Sequence, residues 1–221
     1  DDLKAAAGAP PYDAAMLADL RQTIAARPVW VASSTHNGEE SPILQAHAAA
    51  LKTLPDLLLV LVPRHPERRD TVAALIREQG LTHSTRSKND ALTKTTQVYL
   101  ADTLGETGLW YALAPLVFVG GSLAPVGGHN PYEPAHAGAA VLHGPDVTNF
   151  AAPYAALTAA GGCAAIQSAD DLANQLTTLL PNSPALQSLR QGATTFSAQL
   201  SAGLDTTAQD LFALLEPARR T

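Results

Sequence analysis

At 221 residues, with 46% hydrophobic and 15% charged residues, the chain has the composition of a globular domain with a sizeable core and not that of a disordered segment. A net charge of −6 argues against nucleic acid as the main partner, because phosphate binding needs a surplus of Lys and Arg on one face, but it leaves room for a local basic pocket around one small anion. The one cysteine, Cys163, excludes an internal disulfide, and no apolar run approaches the roughly 20 residues of a membrane-spanning helix.

Asp1-Asp2-Leu3-Lys4 offers neither the basic start of a signal peptide nor an initiating Met, and it reads as a cut edge with something upstream. Helical spacing of Met16, Leu17, Leu20 and Ile24 predicts a helix from Asp13 to Ala26, ended by Arg27-Pro28. Strand-helix alternation follows. Val29 to Ser33 reads as a strand opening into Ser34-Thr35-His36-Asn37-Gly38, with a helix from about Glu39 to Leu51. Leu57 to Val62 is a second strand, too uniformly apolar for a sheet with one wet face. After Pro63-Arg64-His65-Pro66 a helix spans Arg69 to Gln79 and stops at Gly80.

A weak strand is expected within Leu81 to Arg86, and a clearer one at Gln97 to Ala101, which leaves through Asp102 to Glu106 into a helix reaching Ala114. Leu116 to Val119 is the next buried strand, and it enters the glycine-rich stretch Gly120 to Asn130. A short helix from Pro131, a strand Ala139 to Leu142, a helix Phe150 to Ala160, a strand Cys163 to Gln167, and helices Asp170 to Leu180 and Leu186 to Leu215 complete the chain. This alternation implies a doubly wound α/β fold: a Rossmann-like parallel sheet covered on both sides, in one domain over residues 1–221.

In such a sheet, ligands bind beyond the carboxyl ends of the strands. Topology alone gathers Ser33 to Glu40, Pro63 to Arg68, Asp102 to Glu106 and Gly120 to Glu133 along that edge. Gly120, Gly121 and Ser122 can aim backbone N–H groups at an anion, or can simply make a tight strand-to-turn transition. Arg64, stiffened between Pro63 and Pro66, suits bidentate binding of a phosphate or carboxylate, unless it is a solvated surface arginine. Glu133, on a first helical turn opened by Asn130 and Pro131, can accept from ribose hydroxyls or merely complement the helix dipole. Glu106 has the same two readings, and Gly105 beside it lets backbone approach a base or ribose. Ser33, Ser34 and Thr35 are read first as a cap for the next helix and second as pocket lining.

The histidines show no metal pattern. His129, His136 and His143 recur every seven residues without a Cys or second carboxylate to complete a ligand set. Gly120-Gly121-Ser122-Leu123-Ala124 resembles a nucleophile elbow, but it lacks the last glycine. The required order of serine, acid and histidine on separate strands also fails, since His129 precedes Glu133 and Asp146.

Phe118-Val119-Gly120-Gly121-Ser122, followed by Gly127-Gly128-His129-Asn130-Pro131-Tyr132-Glu133-Pro134-Ala135, resembles the signature of bacterial 3-deoxy-D-manno-octulosonic acid (Kdo) transferases, which usually carry Leu or Ile where Tyr132 stands. Three more segments agree in family order: Ala32 to Glu40, Pro63 to Arg68, and Asp102 to Glu106. The resemblance covers about Lys4 to Leu157. It implies the C-terminal half of an inverting GT-B glycosyltransferase. In that family the C-terminal domain holds CMP-Kdo and an absent N-terminal domain holds a lipid A precursor, at the cytoplasmic face of the inner membrane and without a bound metal or cofactor.

Carried over by position, the nucleotide contacts are Pro63 and Arg64, then Leu104, Gly105 and Glu106, and finally Asn130, Pro131, Tyr132 and Glu133; Gly121 and Ser122 join the expected site from the reading of the glycine-rich turn. Lys4 falls at the domain junction, where the family has Gly-Asn-Leu-Lys and this chain Asp-Asp-Leu-Lys; it is expected to stabilise charge on the departing phosphate. The family's general base lies in the absent half, as does membrane association, so the chain is expected to be a soluble fragment that binds CMP without turnover. Two other readings compete: half of a GT-B enzyme using a UDP-sugar, and a non-catalytic interaction module.

Overall fold

Alternate residues of each strand face opposite layers of apolar side chains, and this explains why the central strands are apolar throughout. The computed structural model describes residues 8–181 and 184–215, with side-chain surroundings described as far as residue 200. Its elements in chain order are α1 (Ala14–Ile24), β1 (Val29–Thr35), α2 (Glu40–Ala50), β2 (Leu58–Pro63), α3 (Arg69–Glu78), β3 (His83–Thr85), β4 (Val98–Leu100) and α4 (Thr107–Leu113). The second half contributes β5 (Leu116–Val119), α5 (Tyr132–His136), β6 (Ala140–His143), α6 (Ala151–Ala159), β7 (Cys163–Ala165), α7 (Ala169–Leu179) and α8 (Pro184–Leu215). Every predicted strand and helix is present, with ends displaced by at most two residues.

Among the described residues the strands form one parallel sheet in the order β3-β4-β2-β1-β5-β6-β7. Val29 and Val31 of β1, with Leu58, Val60 and Val62 of β2, pack toward α1, α4, α5 and α6. Trp30 and Ala32, with Leu57, Leu59 and Leu61, pack toward α2, α3 and α7. Both faces are dry, so polar alternation has nowhere to appear. The two edge strands, β3 and β7, are three residues each.

The switch of strand order falls at β1, which lies between β2 and β5. Here the backbone departs from regular geometry. Pairing of β1 with β2 shifts between Ser33 and Thr35, and Ser34 adopts φ +57°, the left-handed region that costs a non-glycine residue about 1–2 kcal/mol. This bulge admits the glycine-rich loop. Gly120 N–H donates to the Ser33 carbonyl at 2.7 Å, and a Cβ on Gly120 would lie 2.6 Å from the Ser34 carbonyl oxygen.

One buried carboxylate then fixes that loop. Glu39, fully buried just before α2, accepts at one oxygen from the backbone N–H groups of His36 (2.8 Å) and Gly121 (2.7 Å). At its other oxygen it accepts from Ser122 (3.0 Å) and Leu123 (2.8 Å). Four backbone donors on one charge offset its desolvation and tie the exit of β1 to the exit of β5. Next to it, Glu40 is equally buried, accepts from Thr35 and is paired with Arg68 from the turn after β2. Ser33, Ser34 and Thr35 therefore do not cap α2, as expected from sequence. Ser33 bonds Tyr111, Thr35 bonds Glu40, and the helix begins without a side-chain cap.

Replacing Glu39 by Gln would turn one of its oxygens into a donor facing two backbone donors. Glu39→Gln should lower stability by about 2–4 kcal/mol, read as an earlier urea midpoint with an unchanged slope. A second expectation concerns acid. His47 of α2 is buried between the Trp30 indole, which donates to its Nδ1 at 3.3 Å, and the Gln97 carbonyl, 3.0 Å from Nε2. Burial pushes its pKa from 6.5 down to about 4. The unfolded chain therefore takes up this proton first on acidification. Stability should fall as pH drops from about 6.5 to about 4, by at most about 3 kcal/mol from this residue, and the slope should shrink in His47→Gln.

Candidate functional site

The carboxyl ends of β1, β2, β4 and β5 surround a cavity of about 430 Å³ at the switch point. Ser34, Val62 and Pro63 form its floor, at the ends of the two central strands. Thr103, Leu104 and Gly105, on the loop after β4, form one wall together with Thr107 and Tyr111 of α4. His129, Asn130 and Glu133 form the other, at the end of the glycine-rich loop and the start of α5, with Phe150 at its margin.

Arg64 supplies the cationic group among the described lining residues. The preceding Pro63 ends β2, and the Arg64 backbone N–H is held by the Thr35 carbonyl at 3.0 Å, so its position is fixed while its side chain stays exposed. That guanidinium makes no hydrogen bond or ion pair with any described residue. Glu133 faces the cavity from the first turn of α5, and its negative charge adds to burial in raising the pKa of Tyr111. Asn130 accepts from the Tyr132 N–H at 2.9 Å, which fixes the start of α5.

The structure thus brings Pro63, Arg64, Leu104, Gly105, Asn130 and Glu133 around one cavity, and it separates other residues expected there. Gly121 and Ser122 were read as offering free N–H groups to an anion. Both donate instead to Glu39, and the Ser122 hydroxyl donates to the Val119 carbonyl at 2.7 Å. Glu106 does not line the cavity. Its carboxylate accepts two hydrogen bonds from Arg86, at 2.7 and 3.1 Å, and another from the Thr103 hydroxyl. The bond from Arg86 is the main cause of its lowered pKa. It therefore shapes the 103–105 loop from behind. Pro131 and Tyr132 are buried beneath the site, Tyr132 stacked on Phe196 of α8. Lys4 lies outside the described residues.

Sequence reasoning missed several lining groups. Tyr111 reaches the cavity from the second turn of α4, where it reads as core, and its hydroxyl meets Ser33 at 2.7 Å. Phe150 arrives from a turn before α6 with no local signal. His129 and His36 sit with Nε2 atoms 2.7 Å apart and ring planes 11° apart, joining the loop after β5 to the loop after β1. Burial is the first cause lowering both pKa values, that of His129 to about 4. Gly121 makes this contact possible: its φ is +69°, and an added Cβ would come within 2.9 Å of the His129 ring. Among the described residues no group of three or more His, Cys, Asp or Glu is arranged to hold a metal ion.

No family model matches the chain. Among curated proteins it is 42% identical over 157 residues to the 3-deoxy-D-manno-octulosonic acid transferase of Haemophilus influenzae, covering 71% of this chain and 37% of that protein. It is also 42% identical over 134 residues to a probable mitochondrial enzyme of the same name from Arabidopsis thaliana, covering 60% of this chain and 30% of that protein. The chain spans about a third of the length of the curated relatives it matches. Among solved structures, the C-terminal CMP-Kdo binding domain of WaaA from Acinetobacter baumannii superposes with a TM-score of 0.78 at 35% identity, covering 82% of this chain and 96% of that one. Anabaena HepE in complex with UDP-glucose shares the fold at a TM-score of 0.58 and 16% identity, covering 95% of this chain and 56% of that one. With sheet, switch-point cavity and near-complete overlap in agreement, this chain belongs to the 3-deoxy-D-manno-octulosonic acid transferase family, as a C-terminal domain of the GT-B glycosyltransferase fold.

Proposed function

We propose that the cavity at the β1 switch point holds the nucleotide of a CMP-Kdo donor. The observation that carries this reading is the exposed Arg64 guanidinium, fixed at its backbone and unpaired with any described residue, at the mouth of a cavity whose opposite wall carries Asn130 and Glu133. A guanidinium in that setting is suited to a phosphate, and a carboxylate at a helix start to ribose hydroxyls. Gly105, at φ +80°, lets the 103–105 backbone come close to a base or ribose, and the exposed Leu104 offers it an apolar surface. The Kdo transferase relatives and the name of the Acinetobacter domain support cytidine over uridine.

In this reading the chain is the donor half of a two-domain inverting transferase. The remaining part of the full protein supplies the acceptor site for a lipid A precursor, contact with the inner membrane's cytoplasmic face, and the base that takes the acceptor hydroxyl's proton. No metal holds the nucleotide in this reading; the charge of the phosphate is met by side chains. Lys4 is assigned to the departing phosphate.

Calorimetric titration of the chain with CMP should give saturable binding that is tighter than for UMP and unchanged by a chelator. Arg64→Ala should weaken it by about 1.5–3 kcal/mol, roughly ten- to hundredfold. Equal affinity for UMP would favour a UDP-sugar enzyme, and no nucleotide binding, by this chain or by the full-length protein, would favour an interaction module. Incubated with CMP-Kdo and acceptor, the chain by itself should transfer no Kdo. Detectable product would overturn the assignment of the base to the other half.

A further inference from the structure

We infer that His36 and His129 act together as a second receptor for the nucleotide's phosphate, taking up one proton as the phosphate settles beside Arg64. The inference rests on the nucleotide reading above. Its geometric basis is the Nε2–Nε2 separation of 2.7 Å between nearly coplanar rings, of which His129 lines the cavity that holds Arg64. Two imidazoles meeting nitrogen to nitrogen at that distance share a single proton. One ring donates through Nε2–H and the other accepts.

Two protonation states keep that bond. In the neutral pair the accepting ring carries its proton on Nδ1, while the donating ring has a bare Nδ1 lone pair. Adding one proton fills that lone pair. Both Nδ1 atoms then become donors, the pair carries one positive charge, and the shared hydrogen bond survives. A second added proton would set two N–H groups head to head. Neither Nδ1 has a hydrogen-bond partner among the described residues, and of the two rings His129 lines the cavity. The pair is therefore built to hold one charge, and gains a donor with it.

The surrounding charges explain why the site waits for an anion. His36 faces Glu39 and Glu40 from its own loop and the start of α2, and Arg64 and His65 from the turn after β2. His129 faces His36, Arg64 and His65. The His65 ring lies edge-on to His36 at 5.6 Å. Glu39 is already saturated by backbone donors, and Glu40 is paired with Arg68. Burial, with the Arg64 charge beside it, holds the empty pair toward its neutral form. A phosphate placed beside Arg64 reverses that local field and favours the monocation. The proton stays on the rings throughout. Its charge also opposes the extra negative charge that the phosphate carries once its bond to the sugar breaks.

The test is proton uptake on binding, measured by calorimetry at pH 6.5–7.5 in buffers of different ionisation enthalpy. CMP is compared with cytidine 5′-methyl phosphate, a diester whose phosphate does not titrate near neutrality. Binding of the diester should take up a sizeable fraction of one proton and tighten as pH falls, by up to about tenfold per unit, the limit for one linked proton. His36→Gln and His129→Gln should each abolish the uptake, while Arg64→Ala weakens binding. Binding without uptake, or uptake that persists in both glutamine variants, overturns this inference alone. Failure of the wild-type chain to bind either nucleotide overturns it together with the nucleotide reading.

Discussion

The site depends on where one buried negative charge is placed. Glu39 stands at the exit of β1, and its carboxylate collects four backbone N–H groups from two loops that would otherwise have no fixed relation. A glycine-rich turn beyond a parallel strand is commonly an anion receptor, and here the protein supplies the anion itself. The consequence is a division of labour. The amides of Gly121 to Leu123 serve architecture, and a ligand's charge must be met by side chains that project past them.

The positions of those side chains follow from the sheet. Because β1 has neighbours on both sides that continue in opposite directions, the loops after β1, β2, β4 and β5 diverge and leave a cavity instead of packing over it. The Ser34 bulge and the closely packed Gly120 and Gly121 draw the loop after β5 down onto β1, where His129 meets His36. Arg86 and Glu106 do the same on the other wall, bracing the 103–105 loop from outside the cavity. The strained and ion-paired positions thus form a frame, and the groups that line the cavity stand inside it.

The fold was legible because its signals are periodic and redundant. Leu57 to Val62 can only be a strand dry on both faces, and the alternation of such runs with helical spacing leaves few architectures. The site was legible as a set of loops, since parallel topology sends every strand exit to one edge. Individual roles were less so. Glu106 and Ser122 have the right chemistry in the right loops, but whether such a group faces a ligand or a neighbour is settled by partners distant in sequence: Arg86 for one, Glu39 for the other. Tyr111 and Phe150 were invisible for the opposite reason, since an aromatic residue on a buried helix or turn looks like core whether or not it borders a cavity. The His36–His129 contact joins residues 93 positions apart, and neither local sequence announces the other.

The two ends of the sheet bear on how such a domain behaves in isolation. An unpaired strand edge offers its free N–H and C=O groups as a template to any other chain, and the hazard grows with the length of the edge. Here the outermost strands, β3 and β7, run only three residues each, and the long apolar strands are enclosed between them. Intermolecular β-pairing finds little to extend, so a population of these domains has a built-in resistance to edge-to-edge aggregation.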